Sequence, residues 1–456
     1  MPTFDEILPA LLRIVAPTTM ASKSQRICVV RDLVGKVRLA IEPQAGVAIE
    51  GTVGAVETAL TKELGGYFVP PILHPHNARL RHFVAELFRH AKPWPLAWPS
   101  QYAKDPISPP SVEIDQNKWR AFERALSKQS WLYDRRYQPP WELHPRAPTI
   151  VAFYSFKGGV GRTTLLATVA WRLAREGKKV VVIDLDLEAP GVSSLFAVAP
   201  ERGVLDYIVD HVAVRESHVG PWPAARSLDA VENENITVVP AGRLDRHYLE
   251  KLARLDFAGS RTAPEEDDPT LGALKALLKS LSKECRPDYI LIDSRAGLHD
   301  ISGLSLHALS HVDVLVNRAG SQGLAGLALV LQVLREHKHL DEFQCVVVHG
   351  MAPMPNHREL REHEQRAFRE AVYELFTRHV YSEDEALDID DATAPHHPWL
   401  VSYDPRLERL ERLEPALESV VFSSSELKDI CNRIRELAGE SGEEDEEQPD
   451  GGEPSA

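Results

Sequence analysis

One stretch narrows what this chain can fold into more than any other: "TIVAFYSFKGGVGRTTLLATVAWRLAREG", residues 149–177. A short β-branched and aromatic run, a glycine loop and a helical segment follow one another without a spacer. The first reads as a buried strand and the last as a helix. Between them Gly158, Gly159 and Gly161 leave successive backbone N–H groups unobstructed by any Cβ. Amides so arranged at a helix N-terminus form a cup for phosphate oxygens, and the helix dipole adds partial positive charge. Val160 and Thr164 complete the loop, and Thr163 stands where a hydroxyl can bind Mg²⁺. Arg162 occupies the place where such a loop normally carries lysine. Its charge is retained, but a planar guanidinium fork is bulkier than an ammonium.

Downstream the texture alternates between short apolar runs and helical segments. Strands are expected at 149–155, 179–184, 235–239, 288–293, 312–317 and 343–349. Helices are expected at 162–176, 244–255, 269–284, 322–338 and 356–376. Runs such as "KKVVVIDL" and "DYILIDS" are apolar on both faces, as in strands buried inside a parallel sheet. The pattern predicts an α/β domain with a mostly parallel sheet and helices on both faces, preceded by a smaller α+β region. The second strand ends in Asp184-Leu185-Asp186 and the fourth places Asp293 after four apolar residues. Carboxylates at strand ends behind a glycine loop suit a metal–phosphate site.

These motifs resemble, in order, those of the ParA/MinD-type ATPases. Lys157-Gly158-Gly159-Val160-Gly161 is similar to their deviant phosphate loop, KGGxGK[ST]. "VVVIDLDLEAPG" resembles their first switch, and "YILIDSRAGLHDISGLSLHALSHVDVLV" their hydrolysis strand and second switch. With arginine at 162 the loop also resembles a bacterial subgroup with a KGGVGR motif. The likeness spans about residues 149–350. It implies a cytoplasmic P-loop NTPase that binds ATP with Mg²⁺ and works as an ATP-dependent homodimer controlling a partner protein. Residues 157–164 would hold the nucleotide, with Lys157 reaching across the dimer. Asp186 would orient the attacking water, Thr163, Asp184 and Asp293 would serve the metal, and Ser294–Gly297 would sense the γ-phosphate. Arginine at 162 implies slow turnover. The alternative is an ATP-bound adaptor that does not hydrolyse and binds protein or nucleic acid through its N-terminal part.

Composition divides the chain further. Residues 1–136 form an expected N-terminal module, 137–148 a proline-rich linker, 149–438 the ATPase domain and 439–456 a disordered acidic tail. The front holds about half of the 33 prolines and five of the eight tryptophans. "RICVVRDLVGKVRLAIE" reads as two strands around Gly35, "TVGAVETALTKEL" as a helix, and a further helix is expected from Asp115, with Trp119, Phe122 and Leu126 on one face. The net charge of −15 is drawn largely from the tail, whereas the front is weakly basic, a surface that leaves a nucleic-acid role open without arguing strongly for it. No apolar run approaches the roughly 20 residues that span a bilayer. Asp5 and Glu6 stand where an export signal would be basic. An acidic end speaks against anionic membranes. Cys28, Cys285, Cys345 and Cys431 are too scattered for a metal and read as free thiols. Gln322 and His349 fall near the expected base side of a nucleotide. Ser423 and Glu426 read as a capping box, and "VSYDPRLERLERLEPALES" as a charged helix.

Overall fold

The computed structural model describes residues 6–32, 34–75, 80–93, 115, 118–123, 129–132, 137–214, 222, 228–258, 268–338, 343–382 and 387–440. The chain forms two compact units, Met1–Leu126 and Ser127–Ala456.

The first unit is built on a mixed sheet ordered β2-β1-β4-β3, with β1 Ser24–Arg31, β2 Val37–Pro43, β3 Lys92–Pro93 and β4 Trp119–Glu123. The hairpin around Gly35 and the helix Glu50–Leu64 stand where the sequence predicts them. The helix expected from Asp115 is instead β4, parallel to β1. Its side chains run with period two: Trp119 and Ala121 pack with the helices Ile7–Val15 and Glu50–Leu64, while Phe122 packs with the helix Arg81–His90. Their spacing also fits a helix face, and pairing with β1 decided between the two.

The second unit carries seven parallel strands, β5 Thr149–Tyr154, β6 Val180–Leu185, β7 Ile236–Val239, β8 Tyr289–Ser294, β9 Val312–Asn317, β10 Cys345–Ala352 and β11 Pro398–Ser402. Their order is β11-β10-β9-β5-β8-β6-β7. All of β5, β6, β8 and β9 are buried end to end. Alternate side chains feed opposite layers. Val151, Phe153, Val182 and Leu291 pack beneath the helices Arg162–Arg175 and Ser425–Leu437. Ile150, Ile183 and Ile292 pack under Pro269–Glu284, and Tyr154, Leu315 and Val347 under Ser321–His337 and Arg358–His379.

Three features depart from expectation. The charged segment after Val401 forms no long helix: β11 ends at Ser402 and a four-residue helix, Pro405–Glu408, follows. The last helix is capped by Ser424 rather than Ser423, because Glu426 is drawn to Arg361 and Ser402. Glu440, within the expected tail, accepts from Lys178, Arg435 and Tyr289. The remainder of that tail lies outside the described residues.

Candidate functional site

β5 is flanked by β8 and β9, and its continuation to β6 crosses over β8. That reversal opens a crevice at the strand ends, the place where open α/β sheets take ligands. The glycine loop fills its rim. Gly159 and Gly161 have φ of +71° and +87°, which side chains with a Cβ rarely adopt. A Cβ added at Gly158 or Gly159 would meet nothing within 4 Å, so the cup opens outward. Gly161 is also the N-cap of Arg162–Arg175, so the helix begins at the loop.

The loop is fixed from behind by residues that sequence reading did not find. A Cβ at Gly326 would stand 2.0 Å from the Phe156 ring, so Phe156 lies flat on the helix Ser321–His337. A Cβ at Gly350 would stand 2.6 Å from the Val160 carbonyl oxygen. Met351, with φ of +56°, brings its sulfur near Gly161. Each contact joins segments well over a hundred residues apart, which no local pattern announces.

Register brings the carboxylates together. Asp184 on β6 pairs directly with Asp293 on β8, and Asp293 with Phe153 on β5. Arg162 is buried among them: Nε donates to Asp293 Oδ1 at 2.7 Å and Nη2 to Asp186 Oδ2 at 2.9 Å. Nη2 also lies 3.3 Å from Thr163 Oγ1, which donates to Asp293 Oδ2 at 2.8 Å. Burial raises the Asp293 carboxyl above its ordinary range, and the guanidinium opposes that rise. Burial would weaken the charge on Arg162, but Asp293 and Asp186 outweigh it.

Asp184 is spoken for differently. Its oxygens accept from the backbone N–H groups of Asp186, Gly191 and Val192, at 3.1, 3.2 and 3.1 Å. Burial, with Asp293 beside it, pushes this carboxyl well above the usual range. These bonds hold the backbone of residues 186–192 around the Asp184 carboxylate. Lys157 is exposed on the rim, and Thr164 is half-buried in the helix's first turn. Within the second switch, Ser294 Oγ meets Ser305 Oγ at 2.7 Å, and Arg295 and His299 both pair with Glu188 of the first switch. The two switches are therefore latched to each other. Gln322 is exposed, while His349 is buried, stacked on Phe368 and bonded to Glu364.

The arrangement offers a phosphate cup, a hydroxyl and two carboxylates at its floor, and a guanidinium already neutralising them. Thr163 and Asp293 are hard oxygen donors of the kind magnesium takes, with Asp186 close by across Arg162. Their demand for a cation is visible in the two bonds to Arg162. Among the described residues no helix is long and apolar enough to cross a membrane, and the four cysteines are free thiols.

A family model described as an AAA domain matches residues 148–342. The antiactivator FleN of Pseudomonas aeruginosa is 25% identical over 244 residues, 52% of this chain and 82% of its own length. The sporulation initiation inhibitor protein Soj of Bacillus subtilis is 26% identical over 267 residues, 56% of this chain and 92% of its own. Among solved structures, that of pnob8 ParA matches with a TM-score of 0.43 and 18% identity, covering 64% of this chain and 99% of that one.

Proposed function

Residues 148–342 belong to the ParA/MinD type of P-loop ATPases, and on that premise we propose that this protein is a slow, nucleotide-gated switch that binds ATP with Mg²⁺ and controls a partner protein. The supporting observation is the closure of Arg162 onto Asp186 and Asp293 beside an open cup of loop amides. A triphosphate entering the cup competes with both carboxylates for the guanidinium, because Arg bonds phosphate in the same two-pronged way. Once released, Asp186 can accept a hydrogen bond from the attacking water. Thr163 and Asp293 would hold Mg²⁺, which when bound neutralises charge on the β- and γ-phosphates.

Hydrolysis is slow on this reading for a positional reason. Phosphoryl transfer relies on alignment and charge, and a bulky fork in place of a lysine places the phosphates imperfectly. Turnovers on the order of one per minute or below follow. On this reading Lys157, exposed on the rim, reaches phosphates held by a second copy, and the ATP state is a homodimer. FleN and Soj are named as an antiactivator and an inhibitor, which favours control of another protein as the output.

Calorimetry with ATP, with and without Mg²⁺, tests the binding step, and light scattering tests assembly. Wild type should bind and dimerise with ATP and Mg²⁺, while Lys157→Ala binds but stays monomeric. Absence of any binding heat overturns the reading. The engagement of Asp186 by Arg162 also favours a second reading, an ATP-bound adaptor that does not hydrolyse. ATP that raises the melting temperature without phosphate release selects it.

A further inference from the structure

Directly after the N-terminal unit in the chain, Gln129–Leu132 forms a single helical turn against the second switch. Ser130 donates its N–H and its Oγ to Asp300 Oδ1, at 3.2 and 3.3 Å. Trp131 Nε1 donates to the His299 carbonyl at 2.7 Å, and His307 Nε2 lies 2.7 Å from the Ser130 carbonyl. The Trp131 ring sits 6.1 Å from that of Tyr154, whose hydroxyl donates to the Gly297 carbonyl at 3.2 Å. Gly303 makes room for this turn: a Cβ there would stand 2.5 Å from Ser130 Oγ. Ser130 and Trp131 are both buried. Meanwhile the Gly297 N–H is spent on the Ser155 carbonyl, at 3.1 Å.

We propose that Ser130 and Trp131 are positioning residues of the nucleotide site, a strap that holds residues 297–303 with the Gly297 amide turned away from the phosphate cup. For the γ-phosphate to gain that amide, the segment must leave Ser155. Every strap bond made only in the present arrangement opposes the move by its own differential energy. Loosening the strap therefore favours the triphosphate state and leaves the diphosphate state, which lacks the γ-phosphate, unchanged. The effect on nucleotide rests on the proposed function; the anchoring of the switch does not.

The test compares full-length wild type with Ser130→Ala, Trp131→Phe and Gly303→Ala. Trp131→Phe keeps an aromatic ring while removing the Nε1 donor and part of the indole's bulk. Amide hydrogen exchange across 297–303 should quicken about tenfold, and affinity for a non-hydrolysable ATP analogue should rise about fivefold or more while that for ADP stays within about twofold. Unaltered exchange in all three variants overturns the strap. Equal changes for both nucleotides overturn its switching role. If wild type binds neither nucleotide, the proposed function fails, and the exchange comparison alone decides whether the strap anchors the segment.

Discussion

Arg162 is the residue on which the chemistry turns. Its charge and shape are legible in sequence; its partners are not, because Asp186 and Asp293 reach it from two other strand ends. A lysine has one ammonium and cannot bridge both carboxylates as a fork does. Arg162→Lys should therefore keep ATP affinity within about threefold and raise turnover about tenfold or more, checked by calorimetry beside phosphate release. Unchanged or lower turnover would show that the fork is not what limits the rate. Arg162→Ala tests the electrostatics of folding. The guanidinium counters the burial that raises Asp293, so its loss lifts that carboxyl further above its unfolded value of about 3.9. A raised carboxyl costs nothing below its unfolded value, and the cost grows as pH climbs through the folded one. The variant's deficit should be small near pH 4 and approach about 3 kcal/mol at pH 8. Urea titrations that give one deficit at both values would refute this.

Among the elements, the six expected strands of the ATPase domain and their five helices all stand within a few residues of their predicted bounds. Strands buried on both faces must be apolar throughout, and the helices between them announce themselves by period and capping, as Asp268 does for Pro269–Glu284. Elements exposed on one side were harder to read. β4 carries too few residues to separate period two from a helix face, and β11 fully buries only Pro398. The buttress behind the loop makes its own prediction. Gly326→Ala would drive a methyl group into the Phe156 ring and shift Lys157 beside it. ATP affinity should fall about tenfold or more, with the fold intact by circular dichroism; wild-type affinity would mean that the loop tolerates the shift.

At the scale of the whole molecule, the boundary between units falls at Leu126, ahead of the 136 suggested by composition. The proline-rich stretch read as a linker belongs to the second unit. Trp141 Nε1 donates to the Pro148 carbonyl, and its own carbonyl meets His311. Tyr137 stacks on His307, and Trp131 is buried in the core beneath Ser321–His337. A fragment starting at 127 should fold and bind ATP, whereas one starting at 149 loses three aromatic contacts at about 2 kcal/mol each and should melt well below it. Equal melting temperatures by calorimetry would show those aromatics to be dispensable. Sequence alone determined the parallel α/β core, the phosphate cup and the chemical type of each group around it, because strand burial, glycine backbone freedom and side-chain charge are local properties that a short window carries. Only the tertiary structure decided that the guanidinium turns to the carboxylates, that Asp184 spends its oxygens on backbone amides, and that a turn at the start of the second unit, ahead of the stretch that composition assigns to the ATPase domain, grips residues 299–303. Those outcomes depend on which distant segments meet, and β-sheet register, not local pattern, settles that.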